Sequence, residues 1–554
     1  MSDTIRARSA QLQKFTGGLN NYWDQSAIDD NELASIINFE FATNGSLQSR
    51  PPIYNQVNGS NVKIVTPVAT QPVDIIGTYV RQDGERFLVA TTNTKTWIYS
   101  VSAFTWTQIA TFKSSDCTQY LNKIVLASTT AGQGGYWEGG TFTNTPSMPA
   151  LGGIELLQTR FFGYGVQGTT TANIIYWSNV STSTLAGVST TVWNWYGTNG
   201  IDYLGMYVEI GGGDGQWITA MEQGYNEIVI FRNASTYKFS FGDDPGATGV
   251  MQPMQQNIGA DSKRSVVKFE NAHFVLSGGI LYRYQNSLFY PLNAQKIKMQ
   301  AYPFTRRIEN AISIVGRRCY VWYSGAVYVY NLDTDTWSQW ETDTKVAYFV
   351  TLSRKTEQVE ETLYFGISGA TAAPTTSDFA LYRIEDKPYS IVGSETFKCF
   401  MRTRIYDFAT PVEWKRLYFW TADITSAKNV KAAVYPVDLP ATPPQVTWGE
   451  LSKDYAEETG FSTWDSLSYD GIGDPAYGTW DNLKQTDGQI ATIIEISTNK
   501  PQRTEIKLNH ALRFRRAYFE LYLDCDGTAS TSPVNVFNII PMIGAKAKIS
   551  KRAN

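Results

Sequence analysis

From about residue 66 to residue 390 one signal recurs: short runs of β-branched and aromatic residues, each closed by Gly, Asn, Asp or Ser. Ile75-Ile-Gly-Thr-Tyr-Val80, Phe87-Leu-Val-Ala90, Thr96-Trp-Ile-Tyr99, Lys123-Ile-Val-Leu-Ala127, Glu227-Ile-Val-Ile-Phe231, His273-Phe-Val-Leu276 and Arg318-Cys-Tyr-Val-Trp-Tyr323 are examples. Runs this short and this closely spaced predict strands, and many of them predict a sandwich, barrel or propeller. A partial repeat narrows the choice. Val101-Ser-Ala-Phe-Thr-Trp-Thr-Gln108 and Tyr330-Asn-Leu-Asp-Thr-Asp-Thr-Trp-Ser-Gln339 both run from a strand through a polar turn into Thr-Trp-(Thr/Ser)-Gln. A hairpin of this kind is the outer pair of a propeller blade in many families, so a propeller is expected. At about 40–50 residues per blade, residues 66–394 would hold roughly six to eight blades.

The 554 residues are too many for a single core, so several domains are expected. Aromatic residues reach 14% and charged ones only 18%, and with 44 Gly this composition predicts an all-β protein. Residues 1–65 read as an N-terminal arm with one strand, Ile36-Ile-Asn-Phe-Glu-Phe41, an Asn44-Gly45 turn and an extended Arg50-Pro51-Pro52 exit. Its apolar residues, Phe15, Leu19, Tyr22, Trp23, Ile36, Ile37, Phe39 and Phe41, are too few for a core of their own. Residues 66–394 read as the β-propeller, and 395–554 as a C-terminal β-sandwich of longer strands such as Phe397-Lys-Cys-Phe-Met-Arg-Thr-Arg-Ile405. An insertion at 437–490 interrupts the sandwich. It carries Thr447-Trp-Gly-Glu-Leu451, Thr463-Trp-Asp-Ser-Leu467 and Thr479-Trp-Asp-Asn-Leu483, whose tryptophans are 16 residues apart. With almost no aliphatic residues around them, Trp448, Trp464 and Trp480 are expected to pin turns onto the sandwich or onto a neighbouring subunit.

Little in the chain points to chemistry. His273 and His510 are the only histidines, which rules out a His-rich metal site. The adjacent pairs Asp243-Asp244 and Glu360-Glu361 face opposite sides of an extended chain, which does not suit glycoside hydrolysis. Gly211-Gly-Gly-Asp-Gly215 lacks the Gly-Lys-Ser/Thr ending of a phosphate loop and reads as a turn. Asp465, Asp470, Asp474 and Asp481 could hold calcium, but their spacing fits no EF-hand. No catalytic residue, cofactor or metal is therefore assigned. Cys117, Cys319, Cys399 and Cys525 are scattered and read as reduced, buried thiols. The polar N-terminus lacks the apolar stretch of a signal peptide, and no run is apolar enough for a membrane span. A net charge of −4 gives no footprint for tight nucleic-acid binding. The basic tail, Lys546, Lys548, Lys551 and Arg552, reads as a solvated end or subunit contact rather than a DNA contact.

Phe15-Thr-Gly-Gly-Leu19, Asn44-Gly-Ser-Leu47 and Arg50-Pro-Pro52 resemble the N-terminal arm of the bacteriophage tail nozzle and tail-tip β-propeller proteins. Ile154-Glu-Leu-Leu-Gln-Thr-Arg-Phe-Phe162, Gly213-Asp-Gly-Gln-Trp-Ile-Thr219, Ile230-Phe-Arg232, Gly259-Ala-Asp-Ser-Lys-Arg-Ser-Val-Val267, Leu276-Ser-Gly-Gly-Ile-Leu-Tyr282, Arg402-Thr-Arg-Ile-Tyr-Asp407 and Arg513-Phe-Arg-Arg516 are similar to later passages of that family. The resemblance implies a non-enzymatic virion protein of the distal tail, made in the bacterial host cytoplasm. It implies a homo-oligomeric ring, a hexamer, around the DNA exit channel, with adaptor and fibre proteins as neighbours and DNA passing without specific binding. Trp448, Trp464, Trp480, Phe15, Leu19 and Trp23 are the candidate partner contacts. The rival expectation is a propeller that binds or hydrolyses host glycans.

Overall fold

The computed structural model describes residues 8–9, 15–58, 60, 62–68, 71, 73–179, 193–195, 206–211, 213–242, 245–293, 295–299, 310–323, 326–340, 362–366, 381–385, 397–408, 415–425, 428–437, 492–494, 502–525 and 535–545. Nearly all of them are strand or turn. Between residues 74 and 340 lie six antiparallel four-stranded sheets, each built from consecutive strands. They form blades 1 to 6, at residues 74–110, 114–144, 153–209, 218–255, 266–291 and 311–340. A three-stranded sheet follows. Thr362–Gly366 pairs with Leu381–Glu385, which pairs in turn with Tyr54–Asn55 from the arm. This is blade 7, and it joins the two ends of the propeller.

The apolar clusters show that the ring is closed. Ile98 and Trp137 share a cluster between blades 1 and 2, Phe161 and Val125 one between blades 2 and 3, and Trp177 and Ile230 one between blades 3 and 4. Val229 and Val275 join blades 4 and 5, and Phe274 and Val321 join blades 5 and 6. Trp322 and Ile384 join blades 6 and 7, and Leu381 and Leu88 join blade 7 back to blade 1. The fold is a β-propeller with seven blades. Its geometry explains the sequence pattern. The second strand of a blade, such as Lys123–Ser128 or Glu227–Arg232, is covered on both faces by neighbouring blades and is buried along almost its whole length. It therefore reads as an unbroken apolar run instead of an alternation. Trp106 and Trp337 of the Thr-Trp repeat both lie in the outermost strand of their blade.

The sandwich has two six-stranded sheets. One runs Gly18–Leu19, Glu32–Ile37, Phe397–Thr403, Ala517–Cys525, Lys428–Pro436, Thr492–Ile494. The other runs Gln502–Phe514, Lys415–Thr425, Asn535–Ala545, Leu47–Ser49, Phe39–Phe41, with Arg8–Ser9 also paired to Asn535–Ala545. Leu33, Met401 and Phe519 from the first sheet and Phe41, Leu47 and Ile539 from the second share one core, which continues into blades 5 and 6 through Phe274 and Val321.

The arm is thus divided among three sheets. The stretch expected as one strand, Ile36 to Phe41, is two strands in two different sheets. Asn38 sits between them at φ 61°, a left-handed conformation that Asn tolerates, and turns the chain from one sheet to the other. The tryptophan repeats at Trp448, Trp464 and Trp480 lie outside the described residues, as do Asp243-Asp244, Glu360-Glu361, the four aspartates of the insertion and the basic tail. No helix among the described residues is long and apolar enough to cross a membrane.

Candidate functional site

Among the described residues, His273 and three cysteines are buried. His273 is buried, and burial lowers its pKa to about 4, so the ring is neutral. Its Nε2 donates to the Gln223 carbonyl at 3.0 Å, and the ring lies beside Tyr284 and Phe231. Cys117, Cys319 and Cys399 are buried free thiols, and burial pushes the Cys319 pKa far up, away from the reactive thiolate. Among the described residues no three His, Cys, Asp or Glu side chains cluster as metal ligands.

What the molecule concentrates instead is polar bonding at the junction of arm, propeller and sandwich. Asn38 is the centre. Its amide donates to Gln339 O in blade 6, and its Nδ2 to Lys398 O in the sandwich. Its Oδ1 accepts from Arg50 Nε at 2.8 Å, and its carbonyl from Cys399 Sγ at 3.2 Å. Arg50 itself is fully buried. Its guanidinium donates to Pro51 O and lies 4.0 Å from the Phe397 ring centroid and 5.2 Å from that of Trp340. One planar cation therefore touches the sandwich and blade 6 together.

Charged pairs extend the junction. Glu32, buried in the arm, accepts from Asn20 Nδ2 and pairs with Lys296 after blade 5. Glu40 pairs with Arg318 of blade 6 at 2.8 Å. Arg404 pairs with Asp30 at 2.6 Å, and Arg402 with the buried Glu520 at 2.5 Å. Gly18, at φ 82°, lets the arm pass so close that a Cβ there would stand 3.1 Å from the Trp337 amide nitrogen.

Several stretches that look unrelated in sequence prove to be halves of single constructions. Asp214, in the Gly213-Asp-Gly turn, receives both terminal nitrogens of Arg232 at 2.7 and 2.5 Å. Asp261 accepts from the Gly278 amide at 2.9 Å and from Asn310 Nδ2 at 3.0 Å, tying Gly259–Val267 to Leu276–Tyr282. Sequence reasoning missed these partnerships because the two halves are separated by up to a blade of chain.

The Arg232 bonds, and next the Gln216 amide, hold the Asp214 carboxyl below its ordinary value of 3.8. A carboxylate depressed in the fold adds stability above that ordinary value, and the gain is lost as pH falls through the lowered one. Asp214→Asn is therefore expected to flatten this acid limb in a pH series of urea midpoints. It should cost about 1–2 kcal/mol at neutral pH, less than a fully buried pair because the carboxylate is 40% exposed.

Arg264 marks the axis. The first strands of successive blades lie against one another round the centre. Arg264 stands just before the first strand of blade 5, and Asp74 opens the first strand of blade 1. These blades are not neighbours, yet the two side chains form an ion pair. The pair therefore ties the inner region of blade 5 to that of blade 1 across the ring.

Of the candidate partner contacts, Phe15 and Leu19 are a correction: both are buried in the chain's own core, where they close the sandwich onto blades 5 and 6. Trp23 is half-exposed and stands edge-on to Tyr22, with ring centroids 5.3 Å apart.

No family model matches the chain, and no curated protein matches it. Solved structures resemble it loosely. The extracellular domain of the BT4673 one-component system from B. thetaiotaomicron is 9% identical over 69% of this chain and 45% of that one, with a TM-score of 0.34. Kluyveromyces lactis Hsv2 is 13% identical over 47% of this chain and 75% of that one, with a TM-score of 0.29. The AfRom2 CNH domain is 7% identical over 57% and 95%, with a TM-score of 0.36. The chain thus spans less than half of the first of these. The seven-blade assignment rests on the hydrogen-bonded sheets and on the clusters that join them.

Proposed function

We propose that this chain is a non-enzymatic structural protein of the distal phage tail, a nozzle or tail-tip component that assembles with its own copies into a ring around the DNA exit channel. The observation that carries the reading is where the family-like motifs fall. Arg50, Asp214, Arg232, Asp261, Arg402 and Arg404 all serve as joints between strands, blades and domains, and none stands at a catalytic constellation. Such spending of polar groups on internal fastening suits a part that must bear load. The exposed Tyr22–Trp23 pair is then a contact for an adaptor or fibre protein. In this reading the duplex passes between subunits and not through a propeller, whose blades 1 and 5 are tied across the centre by the Arg264–Asp74 pair. Antibody raised against the chain should label the tail end of purified virions from the phage that encodes it. Label on the capsid, or none on any virion, would contradict the assignment.

A further inference from the structure

An amine, a carboxamide and a carboxylate from distant parts of the chain meet at one place. Glu32 opens the arm strand Glu32–Ile37, and its side chain is only 3% exposed. Its Oε2 accepts from Asn20 Nδ2 at 2.8 Å and from the Asp29 amide at 3.1 Å. Its Oε1 accepts from Lys296 Nζ, in the segment that leaves blade 5. Asn20 is buried as well, and its Oδ1 accepts from the Tyr22 and Trp23 amides at 3.3 and 3.4 Å.

The backbone around the three side chains is fixed. The Asn20 amide donates to Leu33 O and the Asn21 amide to Lys296 O, each at 2.9 Å. The Lys298 amide donates to Asn21 Oδ1 at 2.7 Å. Leu19, Leu33 and Ile297, the chain neighbours of Asn20, Glu32 and Lys296, all belong to the core shared by sandwich and propeller. The amine and the carboxamide are thus held together on the two oxygens of one buried carboxylate. Fixed placement of this kind turns a slow encounter of two groups into an intramolecular step.

We propose that Lys296 Nζ and Asn20 Cγ join in an isopeptide bond, with loss of ammonia, and that Glu32 moves the protons. Glu32 takes one proton from the Lys296 ammonium. The freed Nζ lone pair adds to Asn20 Cγ, and the π pair of the carbonyl moves onto Oδ1. The Tyr22 and Trp23 amides face the atom on which that negative charge gathers. Glu32 then gives its proton to Nδ2 and takes a second one from Nζ. The Oδ1 pair restores the carbonyl as the Cγ–Nδ2 bond breaks. Glu32 yields its remaining proton to the departing ammonia, which leaves as ammonium, and the carboxylate is regenerated. The Lys296 side chain is 42% exposed, so the ammonium has a way out. The bond locks the arm to the propeller covalently. It rests on this cluster alone and not on the tail reading.

The test is the intact mass of the folded full-length protein, followed by tryptic mapping. The parent should be lighter than its sequence by one ammonia. Its digest should contain one branched peptide that joins the fragment carrying Asn20 to the fragment carrying Lys296, uncut after Lys296. Lys296→Arg keeps a cation for Glu32 but has no nucleophilic amine. It should show the parent's circular dichroism and its own full sequence mass. Glu32→Gln should form the bond at least about a hundredfold more slowly, the usual share of a positioned acid–base group. Glu32 is buried, so that variant is read only where its circular dichroism matches the parent's, and Lys296→Arg, at an exposed position, carries the comparison otherwise. Parent protein that keeps its full sequence mass would overturn the inference. So would ammonia lost without the branched peptide, an equal loss from Lys296→Arg, or a folded Glu32→Gln that reacts as fast as the parent. None of these results bears on the tail assignment, which virion labelling tests by location.

Discussion

A chain that begins at residue 57 is expected not to fold. The first 56 residues supply strands to both sandwich sheets and the third strand of blade 7. Removing them strips the third strand from blade 7 and exposes the core that Phe15, Leu19, Leu33, Ile36, Phe39 and Phe41 help to fill. Each such side chain contributes on the order of 2 kcal/mol by burial, so the loss exceeds the usual net stability of a domain. Circular dichroism should show no cooperative thermal transition, and a synthetic peptide of residues 15–56 should restore part of it. The same packing predicts that, in the isolated parent protein, limited proteolysis leaves residues 15–56 intact. A truncated chain that melts cooperatively near the parent temperature would mean that the arm is an accessory.

The largest single-residue effect is expected at Arg50. Arg50→Ala removes the bonds to Asn38 Oδ1 and Pro51 O and leaves a cavity between Trp340 and Phe397. Loss of a fully buried, hydrogen-bonded cation should cost about 3–5 kcal/mol. Arg50→Lys should recover little, since an ammonium cannot lie flat between two rings or offer a fork of donors. Because Arg50 joins the sandwich to blade 6, urea unfolding of the alanine variant should split into two transitions where the parent shows one. A single transition shifted by less than about 1 kcal/mol would show that the junction is held mainly by its apolar core.

The all-β class and the propeller were legible because the inner strands of a blade are covered on both faces, which writes apolar runs such as Lys123–Ser128 into the sequence. The Thr-Trp repeats marked two outermost strands, those that carry Trp106 and Trp337. The number of blades was not legible. Blade 7 is assembled from Tyr54–Asn55 and from strands beginning at Thr362, and no local pattern announces a pairing over that distance. Ile36 to Phe41 read as one strand because its apolar residues continue across Asn38, and only the left-handed backbone there shows the change of sheet. Phe15 and Leu19 looked free for partners because the surface they cover is made by residues nearly three hundred or more positions away, such as Ile297 and Trp337.

The central claim is that copies of this chain form a ring whose lumen lies between subunits. Electron cryo-microscopy of the assembled full-length protein tests it most directly. The account predicts a closed ring, six copies by the family likeness. Each propeller should keep the Arg264–Asp74 pair between blades 5 and 1, and the lumen should be lined mainly by Asp, Glu, Ser, Thr and Asn, so that passing DNA is not held. Particles containing a single chain, or a ring whose lumen is lined mainly by Lys and Arg, would contradict it.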